Sequence, residues 1–439
     1  MRKFSLYLIT VLFLVAGCRK DDDHIFDKPP EERVAEALAR YQSIIAGATD
    51  GWVGRLVTGD SSYFSFYFRF NNENRVVMMS DYDLETATTP KESSYRLKQL
   101  QQPALIFDTY GYIHILADPD ARVNGGEFGR GRVSDFEFAI DSATDNNVML
   151  TGRFNGAKMT LTKASAEERA MWEGGQIADA VNSLDDLNKI LEYFRRMSVG
   201  GVEYEILLDA FSKKAIISWI NGNDTLTVTR GYYIVPGGIE FSDPIVNGST
   251  TIPGFKIVSF NNGTLTMNIN VNGVDGTIKG AIRPIKPDRE AFNRFRARAL
   301  ASADTYWVTV DGFHVDGVDD YYDVKNMTMG SSVYYYSVYW PDFQPNRDLY
   351  APIFLNTSIN RLELLYGVGV QPALRPDGRA WLRSPVALGD FPSSGPGFET
   401  SIKFANTTDY WFVQTSTNSF DMVSANNARA WINWFWIFD

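Results

Sequence analysis

The chain has 439 residues, 42 basic and 53 acidic side chains, a formal net charge of −11, and 44% hydrophobic and 14% aromatic residues. The acidic balance argues against nucleic acid as a partner, because it repels phosphate backbones, and the hydrophobic share argues against general disorder. One cysteine excludes an internal disulfide framework, and the length predicts two to four domains.

The cysteine closes a leader. Arg2 and Lys3 precede an apolar run from Leu6 to Val15, and Ala16-Gly17 lead into Cys18. Cations, a short apolar run and small residues describe an export signal, too short for a spanning helix of ~20 residues. Val-Ala-Gly-Cys resembles the bacterial lipobox. That resemblance implies removal of residues 1–17 and lipidation of Cys18 with acyl chains such as palmitate, each buried CH₂ contributing ~0.8 kcal/mol to anchoring. Arg19-Lys20-Asp21-Asp22-Asp23 resembles the signal that sends Bacteroidota lipoproteins to the outside of the outer membrane. Residues 18–30 are then a flexible tether with a reach on the order of 20 Å.

A first helix is predicted after Pro29-Pro30-Glu31-Glu32, with Val34, Leu38, Tyr41 and Ile45 on one stripe. The period then changes to two. In Tyr63–Phe70 four phenylalanines face one way, and Tyr63, Ser65, Tyr67 and Arg69 form a wetter face. Further strands are predicted over 75–80, 95–100, 104–108, 112–116, 133–140, 147–154 and 158–162. Together, residues 31–163 read as a helix followed by an antiparallel sheet.

The order restarts over residues 164–287. Ser165 and Ser183 each have capping-box spacing, and Leu184, Leu187, Leu191 and Phe194 predict an amphipathic helix before seven more strands. Phe136–Ile140 and Val148–Gly152 are paralleled by Phe255–Ser259 and Leu265–Asn268, which predicts a tandem repeat. Residues 288–439 form a β-rich unit led by a helix over 290–300. Gln371-Pro372-Ala373-Leu374 repeats Gln102-Pro103-Ala104-Leu105 and hints at a third copy. The strand over 430–438 is apolar on both faces and is expected to be central. The fold class is therefore mainly β with short helices (α+β), in barrel- or sandwich-like units.

Glu31-Glu32-Arg33-Val34, Gly51-Trp52, Ser94-Tyr95, Phe107-Asp108-Thr109-Tyr110, Ile113-His114, Asp135-Phe136-Glu137-Phe138 and Gly152 carry a likeness over residues 18–290. This part of the chain resembles the Bacteroidota lipoproteins known as domain of unknown function 4302. The resemblance implies a nutrient-uptake locus with a TonB-dependent transporter, its substrate-binding lipoprotein and a zinc hydrolase. It implies no activity for this chain.

The residues themselves offer little catalytic chemistry. The three histidines, His24, His114 and His314, include no His-x-x-x-His pair, so no metal site or cofactor is expected. No Gly-x-Ser-x-Gly elbow and no phosphate-binding loop is present. Asp135 and Glu137, two apart on a predicted strand at ~6.6 Å, fit the spacing of glycosidase carboxylates but are expected to face water. Asp311, Asp316, Asp319, Asp320 and Asp323 cluster around His314 as an acidic loop. Val333–Pro341 carries Tyr334, Tyr335, Tyr336, Tyr339 and Trp340, candidate aromatics for a sugar or peptide. Tyr335 and Tyr339 are expected on one face, and Tyr334, Tyr336 and Trp340 on the other. The expected function is a non-catalytic accessory binding protein of an outer-membrane nutrient uptake system. A carboxylate-dependent surface hydrolase and a structural or adhesive surface protein are the rivals.

Overall fold

The computed structural model describes residues 29–303, 305–405 and 409–438; Cys18, the leader and most of the tether lie outside these residues. Helix α1 (Pro30–Ala46) starts on the expected prolines with Glu31 and Glu32 in its first turn, where carboxylates favour the helix dipole. Its stripe ends on Ile45, which is fully buried. Eight antiparallel strands then run from Trp52 to Lys163 in sequence order. The last pairs back onto the first, from Trp52↔Lys163 to Val57↔Lys158, so the barrel is closed and leaves no free edge. Phe64, Phe66, Phe68 and Phe70 all point into it, as their alternation predicts. Trp52 Nε1 donates to the Ile45 carbonyl at 2.9 Å and ties the helix end to the first strand.

The second unit repeats this plan. α2 (Ala166–Glu173) carries the predicted capping box: the Glu168 amide donates to Ser165 Oγ at 3.1 Å, and the Ser165 amide donates to the Glu168 carboxylate at 2.8 Å. The box predicted at Ser183 does not form. Ser183 lies inside α3 (Gln176–Asp185), and Phe194 opens a strand. Gly174 and Gly175 break the chain before α3, whose buried face is Ile177, Ala178 and Ala180. Eight strands from Phe194 to Ala281 close into a second barrel. Phe255–Ser259 lies in its sixth strand and Met267 in its seventh, the places that Phe138 and Val148 hold in the first barrel.

The third unit is an 11-stranded sheet whose pairings also return on themselves. The strands Trp307–Thr309, Ser332–Gln344, Arg347–Asn356, Tyr366–Leu374, Ala380–Gly389, Asp409–Ser416, Ser419–Ser424 and Ala430–Phe435 pair in sequence order. Val308 pairs with Phe435 and closes the circuit. α4 (Ala291–Leu300) buries Phe292, Phe295 and Ala299 against it. Trp307 Nε1 donates to the Phe295 carbonyl at 2.8 Å, the same contact that Trp52 makes. The third unit is therefore a third helix-plus-meander, but the Gln-Pro-Ala-Leu match is not its sign. Pro103 opens a fifth strand and Pro372 lies in a fourth. The closing strand ends at Phe435 and has neighbours on both sides in the sheet, which makes it central as expected, but its burial alternates and Asn433 is exposed, so only one face is fully covered.

The face of Tyr63–Phe70 expected to be wet is covered. Ser65 and Tyr67 are 0% and 1% exposed because the second unit packs there, and Val53, Tyr67 and Met79 join its apolar cluster. At this interface Lys213 Nζ sits 2.7 Å from the Asp81 carboxylate, and both side chains are buried. Asp81 also accepts the Ser65 amide at 2.8 Å and the Ile234 amide at 3.3 Å. Gly231 permits the approach, since a Cβ there would stand 2.0 Å from the Tyr63 ring. The second and third units meet where Tyr193 donates to Asp421 at 2.6 Å and Phe194 clusters with Trp411 and Val423.

Removing one member of a buried ion pair leaves the other uncompensated. Lys213→Met is expected to lower stability by ~3–5 kcal/mol in urea unfolding, and adding Asp81→Asn recovers a large part. Loss below ~1 kcal/mol for Lys213→Met would contradict the buried pairing.

Candidate functional site

The five candidate aromatics lie on the strand Ser332–Gln344, but they do not divide as simple alternation predicts. The register shifts between Tyr334, opposite Phe354, and Tyr336, opposite Ile353. This bulge puts two residues against one and reverses the faces beyond it. Tyr334 (9% exposed) and Tyr339 (0%) are interior residues, in clusters with Phe354 and with Phe295. They are withdrawn from the expected shelf. Tyr335 is 51% exposed, and Tyr336 and Trp340 are half-buried over Val338, Leu349, Ala351 and Ile353.

Three further rings complete a continuous row. Tyr335 lies 5.2 Å from Tyr336. The Tyr336 hydroxyl meets that of Tyr306 at 3.2 Å. Tyr306 lies 5.1 Å from Trp340, and Trp340 lies 5.3 Å from the exposed Phe343. Phe438 stands edge-on to Tyr306 at 5.0 Å. Sequence reading missed Tyr306, Phe343 and Phe438. Tyr306 and Phe438 were visible only as parts of strand-like runs, and closing the barrel brings them together. A crevice of about 480 Å³ runs beside Trp340 and Phe343 toward Leu300 at the end of α4.

The row is clamped from within. Tyr339 donates to Asp348 at 2.7 Å, Arg296 Nε donates to the same carboxylate at 2.8 Å, and Arg296 also reaches Asp342 at 2.9 Å. The Asp342 amide donates to Asp348 at 2.9 Å. Burial, with the Asp348 carboxylate second, pushes the Tyr339 phenol well above its ordinary value, so it stays protonated and donates. This network fixes the turn that carries Phe343. Rigid, half-exposed rings with hydroxyl tips can stack on sugar faces or apolar side chains and hydrogen-bond at their edges.

The other constellations are tied up in structure. Asp135 precedes the strand Glu137–Ala143 and is 2% exposed rather than wet. Its carboxylate accepts the amides of Phe154 (2.8 Å), Asn155 (3.0 Å) and Ala157 (3.1 Å). A Cβ on Gly152 would stand 1.9 Å from that carboxylate, so Gly152 and Asp135 are one structural device. Glu137 turns instead toward Arg153 at 3.8 Å. The aspartates near His314 do not converge. Asp319 bonds His314 Nδ1 at 2.6 Å, Asp316 pairs with Arg429 at 2.8 Å, Asp311 pairs with Lys325, and Asp320 accepts the Val324 amide at 2.9 Å. Among the described residues no group of three or more His, Cys, Asp or Glu could hold a metal ion.

His114 sits in a helical turn, Tyr112–Ile115, where a strand was predicted. Its Nδ1 accepts the Gly111 amide at 3.0 Å and its Nε2 lies 3.2 Å from the Phe107 carbonyl. A neutral ring protonated at Nε2 satisfies both partners. Its ring stacks on Phe136 at 4.7 Å.

A family model described as a domain of unknown function (DUF4302) matches residues 22–259, from before α1 into the sixth strand of the second barrel. Similarity to solved structures is slight. The octameric penicillin-binding protein homologue from Pyrococcus abyssi is 11% identical over 32% of this chain and 33% of that one, with a TM-score of 0.15. The isotype 1 transferrin binding protein B from serogroup B Neisseria meningitidis is 8% identical over 84% and 65%, with a TM-score of 0.16. The Caulobacter crescentus pol III beta is 10% identical over 92% and 98%, with a TM-score of 0.17. The chain thus spans about a third of the first of these proteins and just under two thirds of the second. At such scores none of them carries an argument. No curated protein matches the chain.

Burial holds the His114 pKa below its ordinary value. The unfolded chain takes up a proton below about pH 6.5 that the folded chain refuses. Stability therefore rises with pH through the window below about 6.5 and falls on acidification, by at most ~1.4 kcal/mol per pH unit. Urea midpoints measured between pH 7 and 5.5 check this, and His114→Gln is expected to flatten that part of the slope.

Proposed function

The chain belongs to the DUF4302 family, whose function is unknown, and from that premise we propose that it is a non-catalytic binding protein holding a glycan or peptide on the aromatic row of its third unit. The observation that carries this reading is the row itself. Tyr335, Tyr336, Tyr306, Trp340 and Phe343 form one run of neighbouring rings, held from beneath by the Tyr339–Asp348–Arg296 network. Preorganised rings cost little ordering entropy on binding, and tyrosine and tryptophan offer broad apolar faces with polar edges.

In this reading the protein works from a membrane surface. The leader and Cys18 support lipid attachment, with palmitate among the acyl chains, and Arg19–Asp23 supports display on the outside of the outer membrane of a Bacteroidota cell. Its partners there are a TonB-dependent transporter and that transporter's substrate-binding lipoprotein, to which captured nutrient passes. Cys18→Ser is expected to move the protein from the membrane fraction to the soluble one. Retention of the variant on membranes would count against the anchor.

A glycan and peptide array probed with the purified protein tests the binding role. For the best binder, Trp340→Ala and Tyr335→Ala are each expected to weaken affinity by about tenfold. Tyr334→Phe, an interior change, is expected to stay within about twofold. An array without binders, or equal affinities across these variants, would overturn the assignment.

A further inference from the structure

A second cavity lies in the third unit, beside α5. Among the described residues the strands Ala380–Gly389 and Asp409–Ser416 share two rungs, Ala380↔Tyr410 and Trp381↔Asp409. α5 (Pro396–Phe404) ends beside Trp381–Pro385 of the first strand. Phe404 of α5 is fully buried and stacks on Tyr350 at 4.7 Å. Between strand and helix a cavity of about 670 Å³ remains, walled by Trp381, Pro385, Phe391 and Ile402. Small-molecule sites occupy roughly 300–1,000 Å³ and are mostly apolar with a few placed polar groups.

Two polar groups mark this cavity. Ser401 lines it and is 1% exposed, yet its Oγ has no hydrogen-bond partner among the described residues. Buried hydroxyls are almost always satisfied, and one that is not calls for a reason. At the rim, Arg383 is exposed and makes no ion pair among the described residues. Its guanidinium lies 5.4 Å from the Trp381 ring centroid. A second cation on that ring, Arg375 at 4.1 Å, is already neutralised by Asp409 at 3.2 Å. Among the described residues no Asp or Glu lines the cavity, although the chain is acidic as a whole.

We propose that this cavity binds an amphipathic carboxylate. The aryl or alkyl body lies between Trp381, Phe391 and Ile402, a polar atom of the ligand reaches Ser401 Oγ, and the carboxylate meets Arg383. Guanidinium matches carboxylate geometry with two parallel hydrogen bonds, which makes the anion the preferred head group over a neutral one.

Isothermal titration of the purified protein with 4-(4-hydroxyphenyl)butanoate, and with the matched neutral 4-(4-hydroxyphenyl)butanamide, tests the proposal. The carboxylate is expected to bind about tenfold more tightly than the amide. Arg383→Gln is expected to bring the carboxylate down to the affinity of the amide and leave the amide unchanged. Ile402→Trp, which fills the cavity from an exposed helix position, is expected to abolish both with the thermal midpoint preserved. Equal binding of the two probes, unchanged carboxylate affinity in Arg383→Gln, or no heat from the carboxylate at millimolar concentration would overturn the assignment.

Discussion

Closure of the strand ladder is the constraint on which the rest of this structure depends. A meander whose eighth strand returns to its first has no edge left to pair, but the ends of its apolar interior still need a cover. Each unit answers with the helix that precedes its first strand. In the first and third units the helix is tied to the sheet in the same way, by an indole N–H at the head of the strand donating to a helix carbonyl. The interiors are then filled with side chains, so ligand chemistry is left to outer faces and to places where a ladder is weak.

The third unit is where the ladders are weak. The first barrel closes on six rungs and the second on six, whereas the third closes on Val308↔Phe435, continued by His314↔Trp431 and Val315↔Ala430, and among the described residues Ala380–Gly389 and Asp409–Ser416 share two rungs. The aromatic row is built around the first weak junction, with Tyr306 just before Trp307 and Phe438 just after the closing strand. The cavity proposed for a carboxylate sits at the second. Both proposed binding surfaces thus fall where the repeat departs from its own regularity, on a third unit joined to two more regular barrels. Asp81–Lys213 and Tyr193–Asp421 join those barrels to each other and to the third. A buried ion pair and a hydrogen bond to a buried carboxylate disfavour alternative packings, because any shift would strand a desolvated group.

Much of the fold was legible in the residues, because period-2 phenylalanines and helix stripes report directly on burial. The inward face of Tyr63–Phe70, the capping box at Ser165 and the third helix with Phe292 and Phe295 follow from spacing alone. What failed depended on tertiary neighbours. Ser65 and Tyr67 look solvent-facing until a second barrel covers them. Arg347–Asn356 contains Pro352, a residue that demotes a strand on sequence grounds, yet it pairs on both sides. Asp135 reads as a surface carboxylate because nothing local shows that the turn at Phe154–Ala157 will close over it. At the site, Tyr335, Tyr336 and Trp340 were visible as candidates, but the bulge that sends Tyr334 and Tyr339 inward leaves no local mark.

The most direct test is aromatic NMR on protein with ring-labelled tyrosine and tryptophan, titrated with the tightest glycan or peptide ligand. The account predicts shifts confined to Tyr335, Tyr336, Tyr306 and Trp340, with the buried rings of Tyr334 and Tyr339 unmoved. Perturbation centred on another surface, with the Trp340 signals unchanged at saturation, would contradict it.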